Sequence, residues 1–246
     1  MVNIRCGDRC FEAVEAVLFD KDGTLANSEA FLSQLGQLRL RLLESTLPNA
    51  TAIFSKVFGI EGDRVDPAGL LAVGSRQANI AAIVEQLIRS GMEQAAATAI
   101  VQSAFLKADQ DLPRKAPETP LIPGCRELLH RFTDQGVRIG LLSSDVTANL
   151  HDFAAYYGLD PYLQVIVGAD QGLVKPDPLL MKRTCQRLNV AVENTLMIGD
   201  AETDIRMARS AGAGGSVGVS WGWQSSICLP EADVIVHHPL EIQIVS

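Results

Sequence analysis

The chain has 246 residues, 21 Lys+Arg against 29 Asp+Glu for a formal charge of −8, and 47% hydrophobic residues. It is too apolar for a disordered chain and too acidic for a nucleic-acid or anionic-membrane partner, since either demands a basic face. No run approaches the ~18 apolar residues of a spanning helix. Five cysteines suit no disulfide framework, and Met1-Val2-Asn3-Ile4-Arg5-Cys6 lacks the apolar run of a secretory leader, so a cytoplasmic protein is expected.

Val2 to Arg5, the turn Gly7-Asp8 and Cys10 to Glu12 predict a hairpin. Ala16-Val17-Leu18-Phe19 is an apolar run that stops at Asp20-Lys21-Asp22-Gly23-Thr24, the pattern of a buried parallel strand with a polar carboxyl end. Between Ser28 and Asp111, Leu32, Leu35, Leu38, Leu42 and Leu43 recur at helical spacing, as do Ile80, Ile83, Val84, Leu87 and Ile88. Four or five helices are expected there. Pro113, Pro117, Pro120 and Pro123 then mark a return linker.

Beyond Gly124 strand and helix signals alternate. Strands are expected near Val137 to Leu142, Leu163 to Val167, Thr195 to Ile198, Val217 to Val219 and Val234 to Val236. Helices are expected from Thr147, Asp177 and Glu202 onward. This alternation predicts an α/β fold, a doubly wound parallel sheet. The expected division is a core made of residues 1–26 and 119–246, with a helical insert at 27–118.

Four polar clusters follow predicted strands: Asp20-Lys21-Asp22, Ser143-Ser144-Asp145, Lys175, and Gly199-Asp200-Ala201-Glu202-Thr203-Asp204. In a parallel sheet all four gather at one edge, where ligands bind. Converging carboxylates repel one another, and a divalent cation with oxygen ligands, Mg²⁺ above all, relieves them. A nearby Lys and hydroxyl supply what a phosphoryl group needs: positive charge and a hydrogen-bond donor.

Phe19-Asp20-Lys21-Asp22-Gly23-Thr24-Leu25 resembles the first motif of the haloacid dehalogenase-like (HAD) phosphohydrolases. Leu141-Leu142-Ser143, Lys175-Pro176-Asp177-Pro178 and Gly199-Asp200-Ala201-Glu202-Thr203-Asp204 resemble the other three motifs, in the same order. The resemblance implies a Rossmann-like core and a Mg²⁺-dependent phosphatase acting on a small phosphomonoester. Asp20 would be the nucleophile that becomes an aspartyl-phosphate, and Asp22 the acid and base. Residues i and i+2 of a strand share a face, so Lys21 is expected to point away from them. Ser143 would donate to the phosphate, with Ser144 the alternate donor, and Lys175 would neutralise charge. Asp20, Asp200 and the carbonyl of Asp22 would hold Mg²⁺. Asp204 would lie among or just behind these ligands, or else on the helix surface.

At Lys21 the family more often carries an apolar residue. The stretch is similar to the Asp-Lys-Thr-Gly-Thr motif of P-type ion pumps, but those lack the second Asp and need membrane helices. The insert resembles the α-helical cap of the phosphoglycolate phosphatase and β-phosphoglucomutase branch, and such a lid would select small phosphorylated metabolites. Val73-Gly74-Ser75-Arg76 resembles a substrate-reaching segment of that branch. Arg76 is thus a candidate to grip a second anion beside Ser75, or else Ser75 simply caps the helix that Arg76 opens. A phosphomutase is the alternative enzyme, and Thr24 weighs against it because mutases usually carry an apolar residue there. A dehalogenase needs neither Asp22 nor a metal. A non-catalytic ligand-binding protein on the same fold has no need for every catalytic position to be filled. A monomer or homodimer is expected. His130, His151, His237 and His238 lack metal-ligand spacing, and Trp221 and Trp223 are read as packing residues.

Overall fold

The computed structural model describes residues 1–245. It contains two compact units, one made of Met1–Ser28 with the chain from Thr119 onward, the other of Glu29–Glu118.

The first unit opens with the antiparallel hairpin β1 (Val2–Cys6) and β2 (Arg9–Val14). β3 (Ala16–Phe19) follows and is buried along its whole length. Burial on both faces is what its unbroken apolar run requires.

The second unit is helical. It comprises α1 (Glu29–Glu44), α2 (Ala50–Phe58), the two-residue strands β4 (Ile60–Glu61) and β5 (Arg64–Val65), α3 (Leu70–Val73), α4 (Arg76–Arg89), α5 (Gln94–Asp111) and α6 (Lys115–Glu118). Its core joins Leu43, Phe54, Phe58, Ile83, Val101 and Phe105, all essentially inaccessible. The short β4–β5 ladder has no counterpart in the sequence reading, because two residues are too few to show alternation. The proline-rich return is not all linker either. Pro117 lies within α6, which ends just before Thr119.

The first unit resumes with α7 (Cys125–Asp134), β6 (Arg138–Leu142), α8 (Thr147–Tyr156), β7 (Val165–Val167), α9 (Pro178–Leu188), β8 (Thr195–Gly199), α10 (Glu202–Ala211), β9 (Gly215–Val219), β10 (Val234–Val236) and β11 (Ile242–Val245). Six strands form a parallel sheet in the order β10-β9-β8-β3-β6-β7. On one face Leu18, Leu142, Val167 and Met197 pack with Leu180, Met181 and Leu188 of α9 and Met207 and Ala208 of α10. Phe19 packs against Phe132 of α7, ring centroids 6.2 Å apart.

β3 lies between β6 and β8, so the chain leaves it on one side and later returns on the other. In open α/β sheets ligands bind at such a switch point, beyond the carboxyl ends of the strands. Register puts Phe19 level with both Leu141 and Ile198, so Asp20 leaves its strand within one residue of the height of Ser143 and Asp200. A separate three-stranded sheet, β11-β1-β2, brings the last described strand against the first. β11 is too short, and too close to the end, to stand out by periodicity. Among the described residues no helix is long and apolar enough to cross a membrane.

Candidate active site

Asp20 leaves β3 with its backbone N–H still bonded to the Ile198 carbonyl at 2.9 Å, which ties it to β8. Asp200 follows β8 directly, and Asp204 stands in the first turn of α10, where the helix dipole favours an anion. One carboxylate oxygen from each of Asp20, Asp200 and Asp204 lies within 4.8 Å of the others, and all three residues are buried. Three buried carboxylates form a set of hard oxygen donors that fits a divalent cation.

Lys175, in the loop before α9, reaches the same place. Its Nζ lies 2.5 Å from Asp20 Oδ1 and 2.6 Å from Asp204 Oδ1, with the side chain 3% exposed. Burial opposes its charge, but the two carboxylates outweigh that and hold it protonated beyond its ordinary range. Among the described residues Asp200 has no such cation. Burial, together with the charges of Asp20 and Asp204, pushes its carboxyl well above the usual value. Burial likewise raises Asp204, to about 6, against the pull of Lys175.

Asp22 is positioned differently. Its Oδ1 accepts from the Ser28 hydroxyl and from Lys21 Nζ, the latter at 2.6 Å. The Lys21 side chain is 1% exposed, and its ammonium also lies 3.6 Å from Asp145 Oδ2. Lys21 therefore does not leave the site as strand alternation suggested; its flexible stem brings the charge back beside Asp22. Ser143 Oγ accepts from the Asp145 N–H at 3.1 Å, which leaves the hydroxyl proton free to be donated elsewhere. Ser144 follows it, half-buried.

The family pattern of the haloacid dehalogenase-like hydrolases matches residues 14–212. The chain belongs to that family. The phosphoglycolate phosphatase of Escherichia coli strain K12 is 24% identical over 230 residues, spanning 92% of this chain and 89% of the relative. That of Yersinia pestis is 24% identical over 232 residues, spanning 93% and 91%. Among solved structures, a predicted phosphoglycolate phosphatase from Haemophilus somnus 129PT superposes with a TM-score of 0.68 at 19% identity, covering 92% of this chain and 95% of the other. CbbY from Rhodobacter sphaeroides, solved in complex with phosphate, gives 0.58 at 20% identity, covering 91% and 93%. At these identities the structures share the fold.

Within this haloacid dehalogenase-like hydrolase, the structure brings Asp20, Asp200, Asp204 and Lys175 together and puts Asp22 two residues along the same turn. The Asp22 carboxylate is not part of the three-carboxylate cluster. In the helical unit, Ser75 accepts from Ala78 N–H at 3.1 Å as the N-cap of α4. Arg76 Nε is paired with Asp109 Oδ2 at 2.7 Å.

The two tryptophans, read from the sequence as packing residues, also make polar contacts at the site. Trp223 Nε1 donates to Asp200 Oδ2 at 2.6 Å, and Trp221 Nε1 to the Thr24 carbonyl at 2.9 Å. The Thr24 hydroxyl donates to the other Asp200 oxygen at 3.0 Å. Their place just after β9, at the carboxyl edge of the sheet, was the available signal.

Proposed function

We propose that this protein is a cytoplasmic, Mg²⁺-dependent phosphatase that hydrolyses a small phosphomonoester through an aspartyl-phosphate. The observation that carries the reading is the meeting of Asp20, Asp200 and Asp204 beside Lys175. Asp20, Asp200 and the Asp22 carbonyl would hold the ion, with Asp204 adjoining. Bound there, Mg²⁺ supplies charge neutralisation and polarisation of a phosphate oxygen.

The chain's own groups do the rest. An Asp20 carboxylate oxygen attacks phosphorus while Lys175 offsets the charge on both partners. Ser143, turned by its bond from Asp145 N–H, donates its proton to a phosphate oxygen. Asp22, steadied at Oδ1 by Lys21 and Ser28, gives a proton to the leaving oxygen and then takes one from the water that cleaves the acyl phosphate. Arg76 is the helical unit's candidate for a distal anion, if Asp109 yields it, and Ser75 stands beside it. Cysteine chemistry has little support here: burial pushes both Cys6 and Cys125 up to about 12, which keeps these thiols protonated. Free cysteines, two of them exposed, suit a reducing compartment.

The test is phosphate release from a panel of phosphorylated metabolites, with 2-phosphoglycolate first because the relatives named above are phosphoglycolate phosphatases. Hydrolysis of p-nitrophenyl phosphate should require Mg²⁺ and stop with EDTA. Full activity in excess chelator would overturn the metal's role, and no release from any ester would overturn the reading.

A further inference from the structure

The loop between β9 and β10 lies outside the four motifs, yet it is built onto two of them. Trp221 holds the Thr24 carbonyl, Thr24 holds one oxygen of Asp200, and Trp223 holds the other. Two glycines make the approach possible. A Cβ on Gly222 would overlap the Gly23 carbonyl, and a Cβ on Gly23 would overlap both the Asp200 carboxylate and Trp223 Nε1. Gly23 also has a φ of +83, which favours glycine for a second reason. The loop and the first-motif turn therefore meet backbone to backbone, and the indole reaches a carboxylate that no larger residue would leave accessible.

The chemistry of the two donors suits a metal ligand. An indole N–H and a hydroxyl stabilise a buried carboxylate without cancelling its charge, whereas a Lys or Arg would compete with a cation for it. Each Asp200 oxygen accepts one of these bonds and keeps a lone-pair direction for another partner. Trp223 is only 8% exposed, so water cannot readily replace the indole.

We propose that Trp223 is a positioning residue for the metal site: its N–H fixes the Asp200 carboxylate in the orientation that a divalent cation needs. The proposal rests on the phosphatase reading above. Losing a hydrogen-bond partner of a metal ligand typically weakens the metal by roughly 10- to 100-fold, and Trp223→Phe should do the same while keeping the aromatic packing.

The experiment measures Mn²⁺ binding directly, from the free-ion electron paramagnetic resonance signal, in wild type and Trp223→Phe, with circular dichroism to verify the fold. A Kd raised at least about tenfold in a folded variant supports the proposal. An unchanged Kd overturns it. No Mn²⁺ binding by the wild type would instead overturn the reading of the site itself. Should Trp223→Phe fail to fold, Trp221→Phe leaves Trp223 as the sole indole of the chain. Mn²⁺ should then quench its emission with the midpoint of metal binding, and adding Asp200→Asn should abolish that response. Emission indifferent to Mn²⁺ while the metal binds would overturn the proposal.

Discussion

Lys175 bridges Asp20 and Asp204, while the groups that donate to Asp200, the Thr24 hydroxyl and the Trp223 indole, are neutral. The cluster is therefore short of positive charge until a cation enters. Asp20→Asn is nearly isosteric and cannot attack phosphorus, so turnover should fall on the order of a thousandfold or more. The same change removes a charge that raises Asp200 and Asp204, so the metal-free variant should melt higher than the metal-free wild type, as read by scanning fluorimetry. The raised Asp204 carboxyl has a further consequence, and its sign is fixed. Its pKa in the fold is about 6 against an ordinary 3.8, so the folded state binds the extra proton. Metal-free stability from this group is fully present at low pH and declines as pH rises from about 4 to 6. Because ligands must be deprotonated to bind metal, Mg²⁺ should raise the Tm more near pH 7.5 than near pH 5. An equal rise at both would contradict the burial argument.

At the scale of elements, Ser75 shows how much a helix start can say. Its side chain caps α4, so Ser75→Ala should lower stability by about 1 kcal/mol in denaturant unfolding, with p-nitrophenyl phosphate hydrolysis unchanged. The strands that build the site were legible because Ala16 to Phe19 and Thr195 to Gly199 are buried on both faces and end in acidic clusters. Spacing alone could not show that β11 pairs with β1, since four residues at the chain's edge carry little periodicity. Nor could it show what Lys21 and Trp223 touch. Strand alternation describes where a Cβ points, while a four-carbon stem or an indole carries its polar atom several ångströms further. What the residues touch was thus hidden precisely where side chains are long.

Across the whole molecule, the helical unit leaves and rejoins the first unit through two segments bonded to each other. Asn27 N–H donates to Pro120 and Ile122 N–H to Leu25, each at 2.8 Å. The gap left by removing 29–118 is already closed by backbone. A chain in which that segment is replaced by a short turn should therefore fold cooperatively, as judged by a single unfolding transition, and should still bind Mn²⁺. A molten product would show that the first unit depends on its insert.

The pairing of β11 with β1 has a different implication. Asn3 lies opposite Val245 in an antiparallel ladder, where facing Cα atoms are about 5 Å apart. Between Asn3 and Val245 the backbone path is nearly a closed loop, and a tight turn would join its two strands. The succession Asp20, Ser143, Lys175, Asp200 is then not something the fold itself requires. A permuted gene joined across β11 and β1 and opened at the exposed turn around Gly62 would list the four in another order and assemble the same site.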